Sequence, residues 1–304
     1  MYMNKEEKRP FPKTQLDSKD ISVITHQFHS DCSSINSKLR SITTNNGNPT
    51  TATTPPPPRR PNRHCHRRLP RHRPRHRRPP LLPRRGPRHQ LRLQRSLRAE
   101  SLASTLPRGA VTVRADVSIA SEVKALFDRA EEAFGGRPAH VLVNCAGILD
   151  PKYPSVANTA EEDWDRTFAV NAKGAFLCCR EAAARLVRGG GGRIVAVTTS
   201  VVGSRRPGYG AYAASKAAVE TMVGVMAKEL KGTGITVNFM APGPIATDMF
   251  FDRKTEEVVG SVVAESPMGR LGEVGDVAPV VGFLTTDGGG WINGQVIRVN
   301  GGFV

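Results

Sequence analysis

The chain has no run of eighteen apolar residues, so no membrane-crossing helix is expected from its 304 residues. Its opening residues carry Lys5, Glu6, Glu7 and Lys8 with no apolar stretch around them, and no secretory leader is expected there. Cysteines number five, an odd count without metal-ligand spacing. Neither a disulfide framework nor a bound metal is therefore expected, and a reduced, soluble intracellular setting fits, the cytoplasm first and an organelle not excluded. One stretch lacks acids altogether: Arg59 to Arg98 holds sixteen arginines and no Asp or Glu. The net charge of +17 resides there, because the remainder balances 28 basic residues against 27 acidic ones. A basic composition that is confined to one block does not make the whole protein a nucleic-acid binder.

That block also contains five of the eight histidines and many prolines, a composition that cannot bury a core. As a functional element it would be an arm that neutralises phosphates, with salt-sensitive and unspecific binding. His64-Cys65-His66 is too short a cluster for zinc. Residues 1–58 are polar, rich in Ser and Thr, and end in Pro55 to Pro58, which reads as a disordered extension. The expected organisation is thus a disordered segment 1–58, an Arg/Pro-rich segment 59–105 and a folded core 106–304.

Within that core, Tyr212 and Lys216 stand four residues apart in Gly210-Ala-Tyr-Ala-Ala-Ser-Lys-Ala-Ala-Val219. An i,i+4 pair shares one helix face. An ammonium beside a phenol favours the phenolate, which predicts a lowered tyrosine pKa and a general acid/base. Upstream, Gly192 to Gly203 reads as a buried β-branched strand that ends in hydroxyl residues, with Ser200 at the ligand-facing end of a parallel strand. His140 to Asn144 is a second such strand, closed by an Ala146-Gly147 turn, and Asn171 lies inside a long helix predicted from Ala160 to Val187. A further helix is predicted over Ile119 to Phe134, and further strands over Ile235 to the Pro242-Gly243-Pro244 turn and over Gln295 to Val299. Strands and helices alternate, as parallel crossovers require.

As an ordered set these motifs resemble the short-chain dehydrogenase/reductase family over about Leu106 to Val304. Asn144-Cys-Ala-Gly147 is similar to the family's Asn-Asn-Ala-Gly, with Cys145 in place of an asparagine. Asn171, Ser200, Tyr212 and Lys216 resemble its catalytic residues, although the interval from Ser200 to Tyr212 is one residue shorter than in many members. Asp116 and Val117 resemble the positions beside the adenine, and Pro242, Gly243, Ile245 and Thr247 the segment that closes over the nicotinamide. Asn144, Ala146, Gly147, Tyr212 and Lys216 complete the implied cofactor contacts. The resemblance implies an α/β, Rossmann-like, doubly wound parallel sheet and a carbonyl reductase or alcohol dehydrogenase acting on a small molecule. Tyr212 would exchange the proton, Ser200 would hold the substrate oxygen, Lys216 would hold the nicotinamide ribose, and Asn171 would order a water that links the lysine to solvent. It also implies a homo-oligomer, a tetramer built on the long helices and the last strand. Residues Phe250 to Ser266 are expected to cover the substrate.

The family also carries a first strand and a Thr-Gly-x-x-x-Gly-x-Gly turn that cradles the pyrophosphate, and this chain has no such turn. If the message is read one nucleotide later, His codons in the basic block give Ile or Thr, Cys65 gives Val or Ala, and the arginines give Gly, Ala, Val or Asp. From Arg60 that frame permits Gly-Arg-Thr-Ala-Ile-Val-Thr-Gly-Ala-Ser-Arg-Gly-Ile-Gly-Arg-Ala-Ile, the missing strand and turn in the expected place. Arg59 to about Arg98 therefore reads as out-of-frame translation, through a gene-model error or a real frameshift, and the sheet is expected to be incomplete at its N-terminal half. The recovered Ser-Arg-Gly favours a 2′-phosphate, hence NADP, with NAD not excluded. The alternative is an inactive product whose basic arm binds nucleic acid nonspecifically; no nucleic-acid partner is otherwise expected.

Overall fold

The computed structural model describes residues 100, 101 and 110–304. The expected disordered extension, the basic block and the turn missing from it lie outside the described residues. Within them, four parallel strands form one sheet in the order β1 (Val141–Asn144), β2 (Arg193–Val197), β3 (Thr236–Pro242) and β4 (Val296–Val299). Val141 pairs with Arg193, Arg193 with Thr236, and Phe239 with Val296, so adjacent strands run in register from one edge to the other. The helices between them are α1 (Ala120–Ala133), α2 (Glu161–Phe168), α3 (Gly174–Arg185), α4 (Val201–Ser204), α5 (Gly210–Glu229), α6 (Asp248–Phe251), α7 (Glu256–Glu265) and α8 (Val274–Leu284).

Alternation along each strand assigns the two faces. Leu142, Ile194, Ala196, Val237 and Phe239 pack with Val123 and Phe127 of α1, Cys179 and Ala182 of α3, and Val219 and Val223 of α5. Val141, Val143, Val195 and Met240 point the other way, onto Val277, Val281 and Leu284 of α8. Both faces are covered, which is why the strands read as continuous apolar runs rather than as alternating ones. Phe239, Leu142 and Ile194 are wholly buried, and truncating any of them to Ala would cost about 2–5 kcal/mol.

Local signals set the ends. Gly135 and Gly136, at φ 75° and 74°, stop α1 in the left-handed region that glycine tolerates. Glu161, Glu162 and Asp163 fill the first turn of α2, where the helix dipole favours acids. The expected single helix from Ala160 to Val187 is α2 and α3 joined by a π-helical turn, Ala169–Lys173. Asn171 sits in that widened turn, fully buried, and such turns recur at functional sites.

Candidate active site

β2 delivers three consecutive hydroxyls, Thr198, Thr199 and Ser200, to the carboxyl edge of the sheet, where open α/β folds take their ligands. The Thr198 amide donates to the Met240 carbonyl at 2.7 Å and the Ser200 amide to the Pro242 carbonyl at 2.8 Å, which prolongs the pairing past the end of β2. Thr198 Oγ1 donates to Glu220 Oε1 on α5 at 2.9 Å. Ser200 already has helical backbone angles, φ −64° and ψ −13°, because it opens α4. Its hydroxyl donates to the Ala241 carbonyl at 3.0 Å and accepts from Asn300 Nδ2 at 3.0 Å.

Thr199, the residue before Ser200, is the hydroxyl that acts on the Tyr212 phenol, favouring its charged form. The Ser200 hydroxyl, expected from the sequence to face the phenol, is engaged by Ala241 and Asn300, which leaves Thr199 as a candidate for that role. Counted from Thr199, the interval to Tyr212 is also one residue longer, which removes the shortfall noted in the sequence. That interval was the signal that could have identified Thr199. A second correction concerns charge: burial pushes the Tyr212 phenol up to about 12, while the Thr199 hydrogen bond pulls it down and Tyr209 adds to the rise. Lys216 does not depress it. Its ammonium donates to the Val197 carbonyl at 2.8 Å and is brought down to about 8 by burial, with Cys145 opposing that shift.

Lys216 and Asn171 nevertheless meet, at Gly147. A Cβ on that glycine would lie 3.2 Å from Lys216 Nζ and 3.4 Å from Asn171 Oδ1. Asn171 Oδ1 accepts from the Ile148 amide at 2.7 Å, and its Nδ2 donates to the Ile148 carbonyl at 2.9 Å and to Ser215 Oγ at 3.0 Å. One side chain thus pins the turn after β1 against α5. Asn144 Oδ1 tightens the same turn by accepting from the Ala146 amide at 3.1 Å.

The remaining positions named for the cofactor lie before α1 and from the end of β3 onward. Asp116 Oδ1 accepts from the amide and hydroxyl of Ser118 at 2.9 and 2.7 Å, at the start of α1. Val117 is buried against Gly174, where an added Cβ would come within 2.7 Å of its Cγ2. Pro242 ends β3, and the next residue must be small, since a Cβ on Gly243 would lie 2.9 Å from the Asn300 Cα. Ile245 bridges to Gly272, and Thr247 Oγ1 caps α6 by accepting from the Phe250 amide at 3.2 Å.

Thr199, Ser200 and Tyr212 line a cavity of about 240 Å³ whose other walls include Ile245, Thr247 and Val262. Aromatic contacts lead outward from Tyr212 to Tyr209 at 6.4 Å between ring centroids, and from Tyr209 to Tyr153 at 5.1 Å. Lys254 sits over the Tyr153 ring at 4.3 Å. Phe250, Lys254 and Val262 of the expected covering segment all reach the cavity. Tyr209 and Lys254 went unmarked in the sequence. Among the described residues no group of three or more His, Cys, Asp or Glu could hold a metal ion, and no helix is long and apolar enough to cross a membrane.

The arrangement combines a phenol and a neighbouring hydroxyl on one cavity at a sheet edge, with the Lys216 ammonium buried one helical turn after the phenol, which suits proton transfer to a bound oxygen. Comparison with known proteins identifies the family. The family model described as enoyl-(acyl carrier protein) reductase matches residues 90–304. The NADPH-dependent aldehyde reductase-like protein, chloroplastic, of Arabidopsis thaliana is 63% identical over 205 residues, which span 67% of this chain and 75% of that protein. A short-chain type dehydrogenase/reductase of Picea abies is 58% identical over 195 residues, 64% of this chain and 71% of the relative. Among solved structures, a putative dehydrogenase from Burkholderia cenocepacia with bound NADP superposes with a TM-score of 0.64 at 32% identity, over 69% of this chain and 79% of that one. The sheet, the site and these relatives together make the chain a member of the short-chain dehydrogenase/reductase family of oxidoreductases.

Proposed function

We propose that this protein is an NADPH-dependent reductase of aldehydes or ketones, able to run in reverse on the corresponding alcohols, with Tyr212 as the proton donor. The observation that carries the reading is the Tyr212 phenol beside Thr199 on the wall of the cavity, with burial favouring its protonated form. A phenol that keeps its proton at neutral pH is in the right state to give it to a carbonyl oxygen. The Arabidopsis relative named as an NADPH-dependent aldehyde reductase and the Burkholderia structure with NADP support the cofactor and the substrate class.

The nicotinamide end of NADPH fits the residues present. An ammonium has three N–H groups, and Lys216, 4% exposed, has donor capacity left beyond its bond to the Val197 carbonyl. Gly147 leaves open the space beside it that a side chain would fill. Lys216 would hold ribose hydroxyls there, with Pro242, Gly243, Ile245 and Thr247 over the ring and Asp116 and Val117 towards the adenine. NADPH, when bound, supplies the hydride. The pyrophosphate end is different, since the sequence as written contains no glycine-rich turn to receive it.

Chemistry at the oxygen belongs to the protein. Thr199 and Tyr212 donate to the substrate oxygen as negative charge grows on it, where a preorganised donor counts most. The proton then passes from Tyr212 Oη to that oxygen. Ser200 supports this edge from behind by tying the start of α4 to Ala241 and Asn300. Lys216 and Asn171, which meet at Gly147, mark where a water would return the proton from solvent. The test is NADPH consumption with an aldehyde panel, using the chain with its shifted frame restored between Arg59 and Arg98, with alcohol detected by mass spectrometry. Equimolar alcohol is expected; cofactor binding without any alcohol would contradict the reading.

Two further parts of the proposal concern context. A homo-oligomer, a tetramer in this reading, is supported by Phe176 on α3 and Val225 on α5, 46% and 50% exposed, and by Trp291 before β4, 99% exposed. The chloroplastic location in the Arabidopsis relative's name makes a plastid the compartment to test against the cytoplasmic expectation. The comparisons lend no support to an inactive nucleic-acid-binding product.

A further inference from the structure

Lys254 faces the same cavity as Tyr212, and no carboxylate lies within ion-pair distance of it among the described residues. Its ammonium donates to the Tyr153 hydroxyl and to the Phe250 carbonyl, the latter at 2.7 Å. It lies over the faces of both rings, 4.3 Å from the Tyr153 centroid and 4.7 Å from that of Phe250. The neighbouring cation, Arg206, is spoken for: its guanidinium makes a two-pronged pair with Glu265 at 2.8 and 3.0 Å. Phenol, carbonyl and ring faces hold the Lys254 head in place without neutralising it. Burial, then the Arg206 charge, bring this lysine down to about 8, with Asp252 opposing.

A cation left uncompensated beside a mostly apolar cavity is costly unless a ligand supplies the counter-charge. We propose that Lys254 is the anion-recognising subsite of the substrate cavity, selecting carbonyl compounds that carry a carboxylate at the end remote from the reacting oxygen. The proposal rests on the reductase reading, which places the carbonyl at Tyr212. The ring contacts from Tyr212 through Tyr209 to Tyr153 set the span that such a molecule bridges, and Arg206, already paired, adds field without competing for the carboxylate.

The test is a ligand-observed NMR titration of the full chain, without cofactor, with 6-oxohexanoate, its methyl ester and hexanal. The oxo acid is expected to bind at least about thirtyfold more tightly than the ester, as a charge-assisted pair in an apolar site would give. Lys254→Met should reduce the acid-to-ester ratio to below about threefold, and Lys254→Arg should keep most of it. A lysine that merely latches the covering segment would weaken acid and ester alike and leave the ratio standing. Equal affinities in the natural chain, no binding of any probe, or an unchanged ratio in Lys254→Met would each overturn the proposal. The reductase reading is checked separately, by NADPH consumption with neutral hexanal in the frame-restored chain. Loss of acid selectivity leaves that reading intact, and loss of turnover with acid selectivity retained would count against that reading alone.

Discussion

The two ends of the expected cofactor site differ in what the chain provides for them. From Val141 to Thr247 the residues proposed for the nicotinamide and the proton lie packed and hydrogen-bonded on strand ends and on α5. From Arg59 to Arg98, where the phosphate-binding turn belongs, the sequence offers arginine, proline and histidine in place of glycine. The contrast teaches that chemistry and grip are separable. Proton transfer needs side chains from the later strands, whereas pyrophosphate binding needs backbone amides that only a glycine turn can bring close.

The largest effect should come from repairing the weaker end. Restoring the shifted frame between Arg59 and Arg98 should tighten NADPH binding about a thousandfold by fluorescence titration, the yield of two charge-assisted hydrogen bonds at roughly 2 kcal/mol each. Tight binding by the chain as written would erase the contrast. Next comes the division of labour at the end of β2. In the restored chain, Thr199→Val should lower kcat/KM about a hundredfold, the usual cost of losing one donor to a developing oxyanion, and Ser200→Ala less than about fivefold. The reverse order would return the role to Ser200.

A smaller effect tests packing at the same edge. Gly243→Ala forces a Cβ to within 2.9 Å of the Asn300 backbone and should cost about 1–3 kcal/mol in urea unfolding. A neutral result would mean that the turn after β3 yields freely. The smallest is a pH signature of Lys216, about 8 when folded and ordinarily 10.5. Below pH 8 both states hold the proton and the folded state bears the full cost of burying it. Between pH 8 and 10.5 the unfolded state binds more protons, so stability should rise with pH across that window. Lys216→Met should flatten this rise in thermal unfolding; an unaltered slope would show that another group titrates there.

Much of this architecture was legible in the sequence, and the reason is burial. The strands predicted from His140 to Asn144, from Gly192 to the hydroxyls ending at Ser200, and from Ile235 to the Pro242 turn contain β1, β2 and β3 because both faces of the sheet are covered, so their apolar runs are continuous. Tyr212, Lys216 and Asn171 stood out because their spacing and setting form an ordered set. The choice between Thr199 and Ser200 was not, since it turns on the residue at which β2 gives way to α4, and helix ends shift by a residue or two from pattern alone. The fall of Lys216 rather than of Tyr212 was hidden because it comes from burial of the ammonium, which the i,i+4 spacing does not report. Lys254 was invisible because its cage pairs it with Tyr153, 101 residues away.

Tyr212→Phe in the frame-restored chain tests the central claim most directly. Steady-state reduction of hexanal by NADPH, measured beside NADPH affinity, separates the proton from the grip. The account predicts that kcat falls by about a thousandfold or more while the NADPH dissociation constant stays within about twofold. Turnover retained at a tenth or more of the parent rate would contradict it.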